Sequence, residues 1–244
     1  MKQKLIILTF LIINSLLYSQ NIVGKKSFEK LTTFSVNYNE KIASFTIDTS
    51  NSIIYNEKFE KISNKPKGFK LTDFECEINA IILAEVIIDK TTNRKAILTF
   101  GICPEFEFYL YDIKTKKLIG YFSALNITIP GNNAIYTSGH LSEFNVRQKF
   151  EINDYNIKEK KQPYYYVGLK SITLKSINIY TDKELTEVLA VLPKGYEVEV
   201  LLAEKSYDNR IYLVKTSFGL IGWTKLKAEQ YKSVDIEGLF YNND

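Results

Sequence analysis

The chain has 244 residues, of which one is histidine, one tryptophan, one methionine and two cysteine, and these scarcities close off several classes of protein. A lone His140 excludes His-rich metal centres and paired-histidine active sites. Five prolines and eleven glycines are too few for linker-like or low-complexity character. The net charge is only +4 and is spread along the chain, which leaves no electrostatic footprint for nucleic acid. After the first twenty residues no stretch is long and apolar enough to cross a bilayer as a helix. No Gly-x-Ser-x-Gly elbow, Gly-rich phosphate loop, zinc spacing or calcium loop is present.

What is abundant points the other way. Hydrophobic residues make up 45% and charged residues 25%, a globular composition, and the length allows one large or two modest domains. Seventeen tyrosines and fifteen phenylalanines favour pleated, half-buried surfaces, so we expect an all-β protein.

The first residues have the form of an export signal. Lys2 and Lys4 precede an apolar run from Leu5 to Leu17, broken only by Thr9, Asn14 and Ser15, and Ser19 offers a small residue for cleavage. The run is shorter than the roughly 20 residues of a membrane anchor. We therefore expect a signal peptide over 1–19 and a mature protein that is periplasmic or secreted, with no membrane span after cleavage. Without Lys2 and Lys4 the balance is 30 basic to 28 acidic residues, or +2. In an oxidising compartment Cys76 and Cys103 form an even pair, to be bonded if their Cα atoms lie within about 7 Å and otherwise two buried thiols.

Strand and turn signals run along almost the whole mature chain. Residues 32–38 and 43–48 are strand-like, and 80–89 with 96–102 have the grammar of a hairpin around a polar turn. In 105–112 the alternation is strict: Phe106, Phe108 and Leu110 belong in a core, while Glu105, Glu107, Tyr109 and Tyr111 take the other, solvated face. The stretch 118–129 is long enough to cross a sheet, and 144–152 alternates again. Residues 20–155 are thus expected to form an antiparallel β-sandwich or partly open barrel. The charged segment 156–163, ending at Pro163, is assigned as a linker, residues 164–232 as a small C-terminal barrel of about five strands, and 233–244 as a tail.

In the C-terminal third, one strand holds Ile177, Asn178, Ile179, Tyr180 and Thr181, and a Pro193-Lys194-Gly195 turn precedes the alternating Val198 and Val200. Tyr212, Leu213 and Val214 follow, then Gly219, Leu220, Ile221, Gly222 and Trp223. In order and spacing this region resembles the bacterial SH3 domains of cell-envelope proteins. It differs from their usual pattern at Tyr180, where Arg is common, at Tyr212, where Trp is common, and at Asp182, Lys183 and Glu184, which replace a Ser-Gly-Pro turn. The resemblance implies a small SH3-like barrel and a non-catalytic binding role in the envelope.

Binding faces on such barrels are strips of aromatics with a few polar groups. The residues that fit are Tyr180, Tyr207, Tyr212 and Trp223, with Asp182 and Asp208 as polar partners. The competing arrangement has Tyr212 and Trp223 filling the interior. Catalytic alternatives are weak. Neither cysteine starts a helix, where a thiolate would be stabilised to pair with His140. Glu105 and Glu107, about 7 Å apart by strand rise, fit glycosidase spacing only loosely. We expect no enzyme, metal or cofactor. The expected partner is a peptide, a glycan such as peptidoglycan, or an envelope protein; the alternative is a structural adaptor without ligand specificity of its own.

Overall fold

The computed structural model describes residues 28–38, 41–55, 81–102, 106–139, 144–204, 211–229 and 232–239. The N-terminal half contains β1 (Leu31–Tyr38), β2 (Lys41–Asp48), β3 (Ile53–Ile54), β4 (Ile81–Asp89), β5 (Arg94–Ile102), β6 (Phe106–Asp112), β7 (Leu118–Ser123), β8 (Asn126–Ile129), β9 (Ala134–Gly139), β10 (Val146–Asn153) and β11 (Asn156–Glu159). The C-terminal half contains β12 (Tyr164–Ile172), β13 (Ile177–Tyr180), β14 (Val188–Leu192), β15 (Glu197–Glu204), β16 (Ile211–Thr216), β17 (Ile221–Lys225), β18 (Ala228–Glu229) and β19 (Lys232–Ser233). Among the described residues the only helical turn is a 3-10 segment at Thr49–Asn51. The protein is all-β.

Two sheets build the N-terminal sandwich, one in the order β1-β2-β8-β9-β10-β11 and one in the order β3-β4-β5-β6-β7. The core between them follows from alternation: Phe45 and Ile47 on β2, Leu98 and Phe100 on β5, Phe108 and Leu110 on β6 and Ile127 on β8 are buried together. Each such side chain contributes about 1.5–3 kcal/mol on leaving water.

Several expectations change. The 118–129 stretch is not one strand. It breaks at Ala124 and Leu125 and passes from one sheet to the other as β7 and β8. Gly139 permits the crossing, because a Cβ there would lie 2.9 Å from the Leu125 amide nitrogen. The first sheet is not wholly antiparallel, since β2 and β8 run parallel. The second face of β6 is not solvated either. Tyr109 and Tyr111 are buried with Ile82 and Ile97, so β4 is apolar along nearly its whole length because both of its faces are covered. Glu85, buried in β4, meets the Lys95 ammonium at 2.8 Å and accepts a hydrogen bond from the Tyr55 hydroxyl at 3.3 Å.

Asp48 ties the two sheets together. It ends β2, meets the Lys90 ammonium at 2.7 Å and accepts the Ser50 amide at 3.0 Å. Burial alone would raise its pKa, but Lys90 and the hydroxyl and amide of Ser50 outweigh burial and hold it at about 2, below the ordinary 3.8. Stability from this group is therefore present above the ordinary value and lost as the pH falls through the folded-state value. With screening of Lys90 by solvent, the loss is about 1–2 kcal/mol. Urea denaturation followed by circular dichroism at pH 6 and pH 2.5 checks this: Asp48→Asn should lower stability at pH 6 and narrow the difference between the two pH values by that amount. An unchanged pH dependence in the variant would remove Asp48 from the account.

Six of the C-terminal strands form one sheet in the order β12-β15-β16-β17-β13-β14, and β18 and β19 pair with each other as a separate ribbon. Six strands take part where about five were expected, and among the described pairings β12 and β14 do not meet, so the sheet curves without closing into a barrel. Its concave side buries Ile179, Val200, Tyr212 and Val214.

Both ends of this domain differ from the sequence boundaries. The expected linker is strand in its first half, since β11 pairs with β10 and closes the edge of the first sheet. The expected tail is core, because Ile236 and Leu239 are buried beside Tyr212 and Val214. Backbone hydrogen bonds from Leu174 to Asp235 and from Glu237 to Ile172 fasten that segment at the end of β12, and Lys175 meets Asp235 at 2.7 Å. The two halves also touch. Phe144, just before β10, packs edge-on against Tyr212 with centroids 6.5 Å apart, and Tyr165 donates a hydrogen bond to Glu159 at 3.1 Å.

Candidate binding face

The C-terminal sheet sorts its side chains by pleat. Across β12, β15, β16 and β17 the paired residues Tyr165, Ala203, Tyr212 and Thr224 point into the core and are all buried. The adjacent register places Tyr166, Leu202, Leu213, Trp223, Tyr180 and Val188 opposite one another, strand by strand, on the other face. This is a continuous apolar row across all six strands. Its ends are exposed, Tyr166 at 52% and Val188 at 49%, while Leu202, Leu213, Trp223 and Tyr180 are half-buried.

Bulges set the register. One interrupts the pairing between Val200 and Leu202, another that between Tyr166 and Leu169, and a third that between Ile179 and Tyr180. Bulges of this kind bend and twist a sheet locally. The bend is large enough for the Tyr164 ring on β12 to lie 5.6 Å from the Trp223 ring on β17, across the two strands between them. The Gly-x-x-Gly-Trp motif has a separate physical cause at each glycine. Gly219 turns the chain with φ at 95°, and Gly222 lets β17 approach β13 so closely that a Cβ would lie 3.0 Å from the Tyr180 carbonyl oxygen. That close approach seats Trp223 directly opposite Tyr180.

Of the six residues expected in a site, Tyr180 and Trp223 come together as neighbours. Tyr212 does not belong with them: it is 1% exposed and forms the centre of the core, because β16 is a central strand whose even-numbered residues all face inward. Asp182 stands near the row but is engaged in its own turn. It accepts hydrogen bonds from the hydroxyl and the amide of Thr186, and these hold its carboxyl below the usual range. Tyr207 and Asp208 lie outside the described residues, as do His140, Cys76 with Cys103, and the segment 1–19.

Sequence reasoning missed Tyr164, Tyr166, Leu202, Leu213 and Val188. The Tyr164-Tyr165-Tyr166 run carried a signal, since period two must place its outer members on the face opposite Tyr165. At the edge of the row Lys183 meets Glu204 at 3.4 Å, and this hydrogen bond, with Tyr164 nearby, raises the Lys183 pKa above its ordinary value.

Two polar clusters elsewhere in the sandwich are paired internally. Glu107 accepts hydrogen bonds from the hydroxyls of Tyr109 and of Ser123, and its expected companion Glu105 lies outside the described residues. At one end of the sandwich, in a cleft lined by Arg94, Asp112, Asp154 and Tyr155, Arg94 stands 3.6 Å from Asp112, bonds to the Asp154 carbonyl and lies over the Tyr155 ring. Among the described residues no group of three or more His, Cys, Asp or Glu side chains is placed to hold a metal ion. What the row offers chemically is contact area and stacking. Comparison of the chain with protein-family models, with curated proteins and with solved structures finds no match.

Proposed function

We propose that this chain is an exported, non-catalytic binding protein of the cell envelope, whose C-terminal domain, similar to bacterial SH3 domains, holds a peptide or glycan ligand on its aromatic row. Peptidoglycan is the ligand we would test first. The observation that carries the proposal is the unbroken row from Tyr166 to Val188 with Trp223 at its centre. Rigid aromatics on a sheet supply contact area at little cost in side-chain entropy. The export component rests on Lys2, Lys4 and the apolar run from Leu5 to Leu17.

A second reading, an adaptor that holds another envelope protein, draws support from β14. This edge strand exposes Val188, Leu189 and Val191, at 49%, 38% and 60%. Edge strands with apolar side chains are sites for pairing with another chain.

Co-sedimentation of the mature protein with insoluble peptidoglycan separates the two. Under the first proposal the protein pellets at moderate salt, and Tyr180→Ala weakens retention about tenfold or more, as truncation of an aromatic anchor does. Protein that stays in solution by itself and co-elutes with a membrane-fraction protein would replace the ligand-binding reading with the adaptor.

A further inference from the structure

The outer face of the six-stranded N-terminal sheet carries polar side chains in register. One row runs from Ser35 on β1 through Ser44, Asn126 and Ser138 to Arg147 on β10. The next, two residues along each strand, runs through Thr33, Thr46, Thr128, Tyr136 and Lys149. Beyond β10, Gln162 and Lys160 continue the two rows, for Gln162 donates to the Arg147 carbonyl at 3.0 Å and the Lys160 amide to the Lys149 carbonyl at 2.7 Å.

The rows are organised internally. Thr33 and Thr46 share a hydrogen bond of 2.8 Å, Ser44 donates to the Asn126 amide oxygen, and the Asn126 amide nitrogen donates to the Ser138 hydroxyl at 3.0 Å. This chain of bonds fixes which way the Asn126 amide points. The β8, β9 and β10 part of the face is a groove of about 500 Å³ whose lining, among the described residues, holds Arg147, Lys149 and Lys160 and no carboxylate. Among the described residues the one acid paired with the lysines, Glu151, stands 3.7 and 3.8 Å from them and serves both, so positive charge is in excess within this described set.

We infer that this groove binds an acidic polysaccharide in extended form. Hydroxyls and amides repeating at the strand spacing of about 4.8 Å suit a ligand that presents its own hydroxyls at a regular interval along a chain. Arg147, Lys149 and Lys160 at one end supply charge-assisted hydrogen bonds for its anionic groups. Arg147 also connects this face to the other domain, with its guanidinium 5.3 Å from the centre of the Tyr166 ring. The groove therefore adjoins the aromatic row at Tyr166, yet its chemistry is polar and its residues are separate. The inference does not depend on what the aromatic row binds.

The test uses the full mature chain in affinity electrophoresis and calorimetry, with alginate oligomers as the carboxylated probe, dextran sulfate as the sulfated one and neutral dextran as control. Retention by alginate, by dextran sulfate or by both, with none by dextran, is the expected result, and the preferred probe identifies the anion. Lys149→Gln with Lys160→Gln should weaken binding about tenfold or more, the scale of losing charge-assisted bonds. Thr128→Val, which keeps volume and removes a hydroxyl, should weaken it several-fold, and Lys194→Gln with Lys225→Gln, exposed lysines outside the groove, should leave it unchanged. The proposal is overturned by absence of retention on both acidic probes, or by retention that survives the lysine substitutions. It is overturned equally if polyglutamate binds as well as the glycans and Thr128→Val has no effect, which would reduce the face to a patch of charge.

Discussion

Tyr212→Ala is expected to remove about 3–5 kcal/mol from the stability of the C-terminal domain, the range for truncating a fully buried aromatic. Tyr212 lies on β16 between β15 and β17, is 1% exposed and contacts Phe144 from the other half of the chain. Its removal would empty a space that β16 cannot fill by collapsing, since both of its neighbouring strands hold it by pairing. Trp223 makes the measurement specific. It is the only tryptophan in the chain and sits in this domain, so its fluorescence in urea reports the unfolding of this sheet and not of the sandwich. Tyr212→Phe should keep most of the stability by keeping the ring. Tyr180→Ala, on the opposite face and half-buried, should cost much less than Tyr212→Ala. Equal losses for Tyr212→Ala and Tyr180→Ala would show that the two faces have been assigned wrongly.

The contrast between Tyr212 and Tyr180 also marks what the sequence could reveal. Composition and alternation were enough for the all-β class, for most strands and for the inward placement of Phe108 and Leu110, with Phe106 only partly buried against the same core, because a period of two is a local property. Alternation could equally have placed Tyr212 with Val214 and the buried face of β16, but two aromatics near a Gly-Trp motif look alike until strand neighbours are known. The binding row was not legible for a stronger reason. Tyr166, Leu202, Leu213, Trp223, Tyr180 and Val188 share no spacing in the chain, and their alignment depends on three bulges that shift the register. The polar rows of the first sheet are similar, since Thr46 and Thr128 become neighbours only through the parallel pairing of β2 and β8. Composition could not reveal β11 either. Its charged residues look like a solvated linker, yet an edge strand tolerates charge on its open side.

A fragment that begins at residue 163 is expected to lack a cooperative transition, although the sequence boundary falls there and β12 begins one residue later. The cut removes Phe144 from its packing against Tyr212, Glu159 from the Tyr165 hydroxyl and Arg147 from the Tyr166 ring. A domain of this size buries only about 60% of its unfolded surface, so it has little stability to lose. Stopping the fragment at 232 should be worse, because Ile236 and Leu239 leave the core as well. Within the intact chain, Phe144→Ala should lower the Trp223-detected stability by about 2 kcal/mol, less than the 3–5 of a fully buried aromatic because Phe144 is half-buried. The two experiments answer different questions. The point substitution measures one contact across the junction, and the fragment measures the whole junction together with the order that β10 and β11 impose on the entry to β12. If the fragment 163–244 unfolds at the same urea concentration as the C-terminal transition of the full chain, the N-terminal half contributes nothing to this sheet. The two halves would then be independent domains joined at Pro163, and the contacts of Phe144 and Arg147 would be incidental to stability.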